Sequence, residues 1–190
     1  MAIAINGSTN VITGVAVGGL PDAIVDADML AANAVTAGKL ASGVGGKILQ
    51  VLQVGKTDTT SVQSSGNNDY SDIPNFSLAI TPSSTSSKIL VMVALTVGGN
   101  SGAFSLKLFR GSTEIGSPSS GTRPAMIHRY TAAQYLDSNI INFLDSPNTT
   151  SAITYKLQIS THGNAMVINR YSVSDDFTTA SYLTLMEVGA

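Results

Sequence analysis

The residues able to do chemistry are few and scattered. His128 and His162 are the two histidines, and neither has a carboxylate or a second histidine at metal-ligand spacing. Each reads as an ordinary satisfied or solvated imidazole. Serines are abundant, but none occupies a Gly-x-Ser-x-Gly elbow. Asp175 and Asp176 could pair with Asp137 or Asp145 as glycosidase carboxylates, against the plainer reading of solvated loop acids. Asp22, Asp26 and Asp28 are close enough to suggest a cation, but Asp22 after Pro21 reads better as the cap of a short helix over 23–30. The glycine-rich stretches do not follow a strand and open a helix, as a phosphate cradle requires. No catalytic, cofactor-binding or metal site is therefore expected. Tyr70, Tyr130, Tyr135, Tyr171 and Phe177, in or near loops, offer rings that stack on sugars, with Asp175 and Asp176 as nearby acceptors. The alternative for these rings is packing at a sandwich edge.

Composition narrows the classes further. The chain has 190 residues, a net charge of -2, 12% charged residues and no Cys. Its surface must be polar without being charged, which excludes the clustered basic patch that nucleic acid demands. Disulfides and thiolate metal sites are absent by composition. No signal peptide is visible at Met1–Asn6, and the longest apolar run, Ile89 to Val97, is too short to cross a bilayer. Asn6-Gly7-Ser8, Asn75-Phe76-Ser77 and Asn148-Thr149-Thr150 match the glycosylation pattern, as chance provides in a chain rich in Ser, Thr and Asn.

Two segments position these residues. Residues 1–46 contain no aromatic residue and carry a weak repeat: Val15 and Leu20, Val25 and Leu30, Val35 and Leu40. One copy cannot bury enough apolar area to offset an ordering cost of ~1–2 kcal/mol per residue. Copies wound together can, so the segment reads as a stem, against the alternative of a flexible linker. Gly43 to Gly46 is the joint, and 47–190 is a β head.

In the head, Ile153, Tyr155, Leu157 and Ile159 alternate with Thr154, Lys156, Gln158 and Ser160, the mark of a strand with one dry face. Asn139–Leu144 precedes it as an inner strand across Pro147-Asn148, so Ser138–Thr161 is expected to be a hairpin. Residues 47–54 are expected to start the β part, with 57–64 as the hairpin partner. Further strands are expected at 76–80, 88–97, 103–110, 126–130, 165–170 and 180–188. Roughly eight to ten short strands with regular turn signals suit an antiparallel two-sheet sandwich of jelly-roll type. Three strands, 89–95, 139–144 and 182–188, are apolar on both faces, whereas a lone sandwich needs one apolar face per sheet. The surplus face and the thin stem together imply a homotrimer, with Leu90, Met92, Leu183 and Leu185 as its interface.

Several phrases resemble short fibre and other virion structural proteins of tailed phages, many from marine and cyanobacterial hosts. They are Ala2–Ser8 with Ile12-Thr13-Gly14, Gly19–Asp22, Ile80–Val91, Phe109–Ile115 and Phe143–Pro147. The resemblance spans nearly the whole chain and is carried by structural phrases. It implies an N-terminal segment that binds another virion protein, and an outward trimeric head that meets a host glycan or receptor. It also implies a product made in the host cytoplasm and carried on the virion. The other role it allows is a capsid decoration or head-fibre protein that stabilises or coats the capsid.

Overall fold

The computed structural model describes residues 4–6, 11–13, 35, 47–66, 68–99, 102–118, 128–131, 135–162, 164–171 and 177–189. The chain divides into two compact units, Met1–Gly45 and Gly46–Ala190. In the first, strand β1 (Ala4–Asn6) pairs antiparallel with β2 (Val11–Thr13), placing Ile5 opposite Ile12. The helix expected over 23–30, the three aspartates there and most of the repeat lie outside the described residues.

The second unit is all β: β3 (Ile48–Lys56), β4 (Thr60–Val62), β5 (Ser71–Ile80), β6 (Lys88–Gly99), β7 (Ala103–Arg110), β8 (Thr113–Ile115), β9 (His128–Thr131), β10 (Tyr135–Asp145), β11 (Ile153–His162), β12 (Met166–Ile168) and β13 (Ser181–Val188). Every pairing is antiparallel. In one sheet, β10 runs along residues 89–99 of β6, while β13 and β12 share the other edge of β6 at 88–94 and 97–99. β3 and β4 lie outside β13 and β12. In the other sheet, β11 lies between β5 and β7, and β8 and β9 share the far edge of β7. Taking β3, β5, β6, β7, β8/β9, β10, β11 and β13 as successive lanes, the sheets run first-eighth-third-sixth and second-seventh-fourth-fifth. That is jelly-roll connectivity.

The core is what alternation should give. Ile89, Val91, Val93, Leu95 and Val97 of β6 meet Phe104, Leu106 and Leu108 of β7 and Tyr155, Leu157 and Ile159 of β11, all buried. β5 makes a bulge between Asp72 and Ser77, where Pro74 has no amide to donate and Asn75 takes φ 57°. Both are tolerated because β5 is an edge strand.

Several expectations are corrected. Ser138–Thr161 is not a hairpin: β10 pairs with β6, and β11 with β5 and β7, in different sheets. The connection through Pro147 and Asn148 (φ 53°) is an arch across the ~10 Å between sheets. Strand β10 is an edge strand of its sheet among the described residues, not an inner one. β4 pairs with β12 rather than folding back on β3. Leu183 and Leu185 cannot line a subunit interface, because they pair with Val93 and Val91 and are fully buried between the sheets.

Candidate functional site

Pairing register arranges the outer face of the β3–β13–β6–β10 sheet in rows that cross the strands. Val51, Met186, Leu90 and Leu144 form one apolar row. Gln53, Thr184, Met92 and Asn142 form the next, and Gly55, Tyr182, Ala94 and Ile140 the third. Successive rows are two residues apart along each strand, about 7 Å. None of these twelve residues is charged. The Gln53 amide donates to the Thr184 hydroxyl at 2.8 Å. The Tyr182 ring lies over Gly55, where an added Cβ would meet it at 3.2 Å. A depression of about 290 Å3 opens between the middle and third rows, lined by Met92, Asn142, Ile140 and Tyr182 among others.

Magnitude decides whether this face is ordinary. Ile140 is 67% exposed, Val51 53%, Leu49 50%, Leu144 49%, Tyr182 44% and Met92 40%. Together they expose the equivalent of about three complete large side chains, on the order of 600 Å2 of apolar surface. That is the upper limit for the largest patch on a lone soluble chain, about 300–600 Å2. Covering it would gain roughly 15 kcal/mol per chain before association costs of about 4–15 kcal/mol.

The outer face of the second sheet is built differently. Lys156 donates to Asp72 at 2.7 Å and Gln158 to the same carboxylate at 2.8 Å, and these bonds hold Asp72 below its ordinary range. Lys107 donates to Glu114 at 2.7 Å. Burial pushes the Glu114 carboxyl up, but the Lys107 bond helps bring it lower overall. Such a face is at ease in water. The sandwich therefore has one dry exterior and one wet exterior.

Its two ends also differ. Lys47, where the head begins, accepts from the Gly189 amide at 2.6 Å, beside the start of β6 and the arch after Asp145. Polar side chains lock this end. The Glu187 carboxylate, 1% exposed, accepts from the Ser83 amide at 2.7 Å, the Ser83 hydroxyl at 2.6 Å and the Gln50 amide at 2.6 Å. Burial alone would raise this carboxyl; the Ser83 and Gln50 donors overcome it and bring it down to about 2. Arg110 donates to both oxygens of Asp145 at 2.9 Å, and the Tyr155 hydroxyl donates to the same carboxylate at 2.6 Å. This clamp ties β7 and β11 to β10 across the sandwich. Burial first, and then Asp145, push the Tyr155 phenol up.

The far end holds Tyr70, Tyr130, Tyr135 and Tyr171. Tyr135 pairs with Gly99 and Tyr130 with Phe104, either side of the β6–β7 connection. The Tyr171 backbone packs on Gly98, where an added Cβ would lie 3.3 Å from its Cα and 2.0 Å from the Arg170 carbonyl oxygen. Tyr70 shares a hydrogen bond with the Ser105 hydroxyl at 2.8 Å, and Lys107 sits 4.7 Å from its ring centre. Ser105 is thus covered, and it also bonds His162 at 3.0 Å. Phe177 is well exposed and its carbonyl accepts from the Tyr171 amide at 3.2 Å. The side chains of Tyr130 and Tyr135, and all of Asp175 and Asp176, lie outside the described residues. Near this end Asn169 (φ 63°) donates to the carbonyls of Lys56 and Asp58 and accepts from Ser181. Among the described residues no group of three or more His, Cys, Asp or Glu side chains could hold a metal ion.

No protein-family model matches the chain, and no curated protein matches it in sequence. Solved structures of infectious bursal disease virus are similar in chain course. The virus of the Gx strain matches at TM-score 0.41 and 15% identity, over 74% of this chain and 37% of that one. The T13 viral particle gives 0.43 and 12% over 74% and 36%, and the VP2 subviral particle 0.41 and 12% over 74% and 38%. The chain spans a little over a third of the length of these structures. The likeness is one of fold.

Proposed function

We propose that the chain is a virion structural protein of a tailed phage. In this reading it is a homotrimeric fibre: residues 1–46 attach to another virion protein, and residues 47–190 form an outward head that binds a glycan or receptor on the host surface. The observation that carries the reading is the polarity of the sandwich. The chain enters the head at the end locked by Glu187 and Asp145, level with Ile89 of β6, and Tyr135 and the Tyr171 backbone stand at Gly99 and Gly98, about 33 Å away along the same strand. A head fed from one end and aromatic at the other suits many weak contacts multiplied by copy number. The phage-like sequence phrases supply the context.

Mass spectrometry of gradient-purified particles and gold labelling of the head test it. Gold at the tail supports the fibre. Gold over the capsid moves the protein to the decoration role, and absence from the particles overturns the reading. Purified protein should bind host cells, and binding should fall about tenfold or more when Tyr130, Tyr135 and Tyr171 are replaced by Ala. Unchanged binding would remove these residues from the receptor surface.

A further inference from the structure

The row pattern of the dry exterior identifies what covers it. A generic apolar partner would strand the middle row: Gln53, Thr184 and Asn142 would lose water without gaining bonds. Any partner must offer amides and hydroxyls at the height of this row and apolar groups about 7 Å above and below it. A second copy of this chain does so when it is related by a rotation axis running along the strands. Such a rotation leaves height unchanged, so every row meets its own counterpart, apolar on apolar and amide on amide. None of the three rows carries a charge, so no like-charge repulsion arises within them; the exposed Lys88 stands one row beyond, opposite Val188. The exposed area, on the order of 600 Å2 per chain, approaches the ~800 Å2 per partner of a stable interface.

We infer that the outer face of the β3–β13–β6–β10 sheet is the self-association surface of this protein, with copies of the chain packed around an axis parallel to its strands and matched row to row. This gives the homotrimer of the proposed function its contact surface and rests on that reading only for the number of copies. Met92, central in the middle row on a strand paired along both edges, then faces the axis.

The chain contains no Cys, so single cysteines report cleanly. In full-length protein, Met92→Cys should be bridged between copies by air oxidation or a short bismaleimide, whereas Lys156→Cys on the wet face should not. Ile140→Asp and Leu144→Asp, both at exposed positions, should keep their far-UV circular dichroism and weaken association about a hundredfold or more, leaving folded single chains in sedimentation. Bridging through Lys156→Cys but not Met92→Cys, an assembly indifferent to the aspartates, or a wild-type protein that stays a single chain would each overturn the inference. Failure of the phage reading shows separately, as a protein that assembles as described yet is absent from purified particles.

Discussion

Glu187 gives the sharpest test of how the head is held together. Its carboxyl ordinarily titrates at 4.5 and is brought to about 2 by the donors of Ser83 and Gln50. A group depressed in the folded state stabilises above its unfolded value and loses that contribution as pH falls through its folded value. The window is therefore about pH 4.5 down to pH 2. At ~1.4 kcal/mol per unit the shift is worth about 3.5 kcal/mol at most, and about 2 kcal/mol once solvent near the 81–87 loop is allowed for. Glu187→Gln keeps the shape but turns an amide N–H towards donors. The variant should lose roughly 2 kcal/mol at pH 7. Urea unfolding at fixed protein concentration, followed by circular dichroism, measures both proteins from pH 7 to pH 2. Asp58, Asp72 and Glu114 are lowered too, but they are common to both chains and cancel in the difference. The gap between wild type and variant should be constant above pH 5 and close by pH 2. Parallel curves throughout would refute the reasoning, because the charge of Glu187 would then contribute nothing.

Other outcomes follow from single contacts. Gly98→Ala places a Cβ 2.0 Å from the Arg170 carbonyl oxygen, and should destabilise the head by about 3 kcal/mol or more in the same urea assay. Tyr155→Phe leaves the buried Asp145 carboxylate with one donor fewer, at a cost of about 1–2 kcal/mol. Because burial and Asp145 push the Tyr155 phenol up, alkaline ultraviolet titration of folded protein should count the same number of ionising tyrosines in wild type and Tyr155→Phe. Arg110→Ala should cost about 3 kcal/mol by leaving Asp145 buried without its cation, and replacing Asp145 with Asn in the same chain should recover part of that loss.

The parts of this fold that could be read from sequence are those fixed locally. The alternation in β11 works because one of its faces is dry, so each side chain announces its side. The two-sheet sandwich follows from several such strands. Pro147 and Asn148 announce a reversal, but not which sheet the chain enters afterwards; that depends on β6 and β7, many residues upstream, so an arch reads like a hairpin. In β13, apolar on both faces, nothing local says whether Leu183 and Leu185 or Tyr182 and Met186 point inward. Only pairing with β6 decides. Glu187 carries no sequence signal at all: its partners Ser83 and Gln50 are 104 and 137 residues away. The surplus of apolar surface was legible in the count of two-faced strands. Its arrangement in rows was not, because rows exist only once β3, β13, β6 and β10 are in register.

The mass of the intact chain in dilute solution bears most directly on the idea that this dry exterior is shared between copies. Sedimentation equilibrium should return three times the 19.5 kDa of one chain at micromolar concentration. A single-chain mass across the whole concentration range, with the head folded, would contradict it.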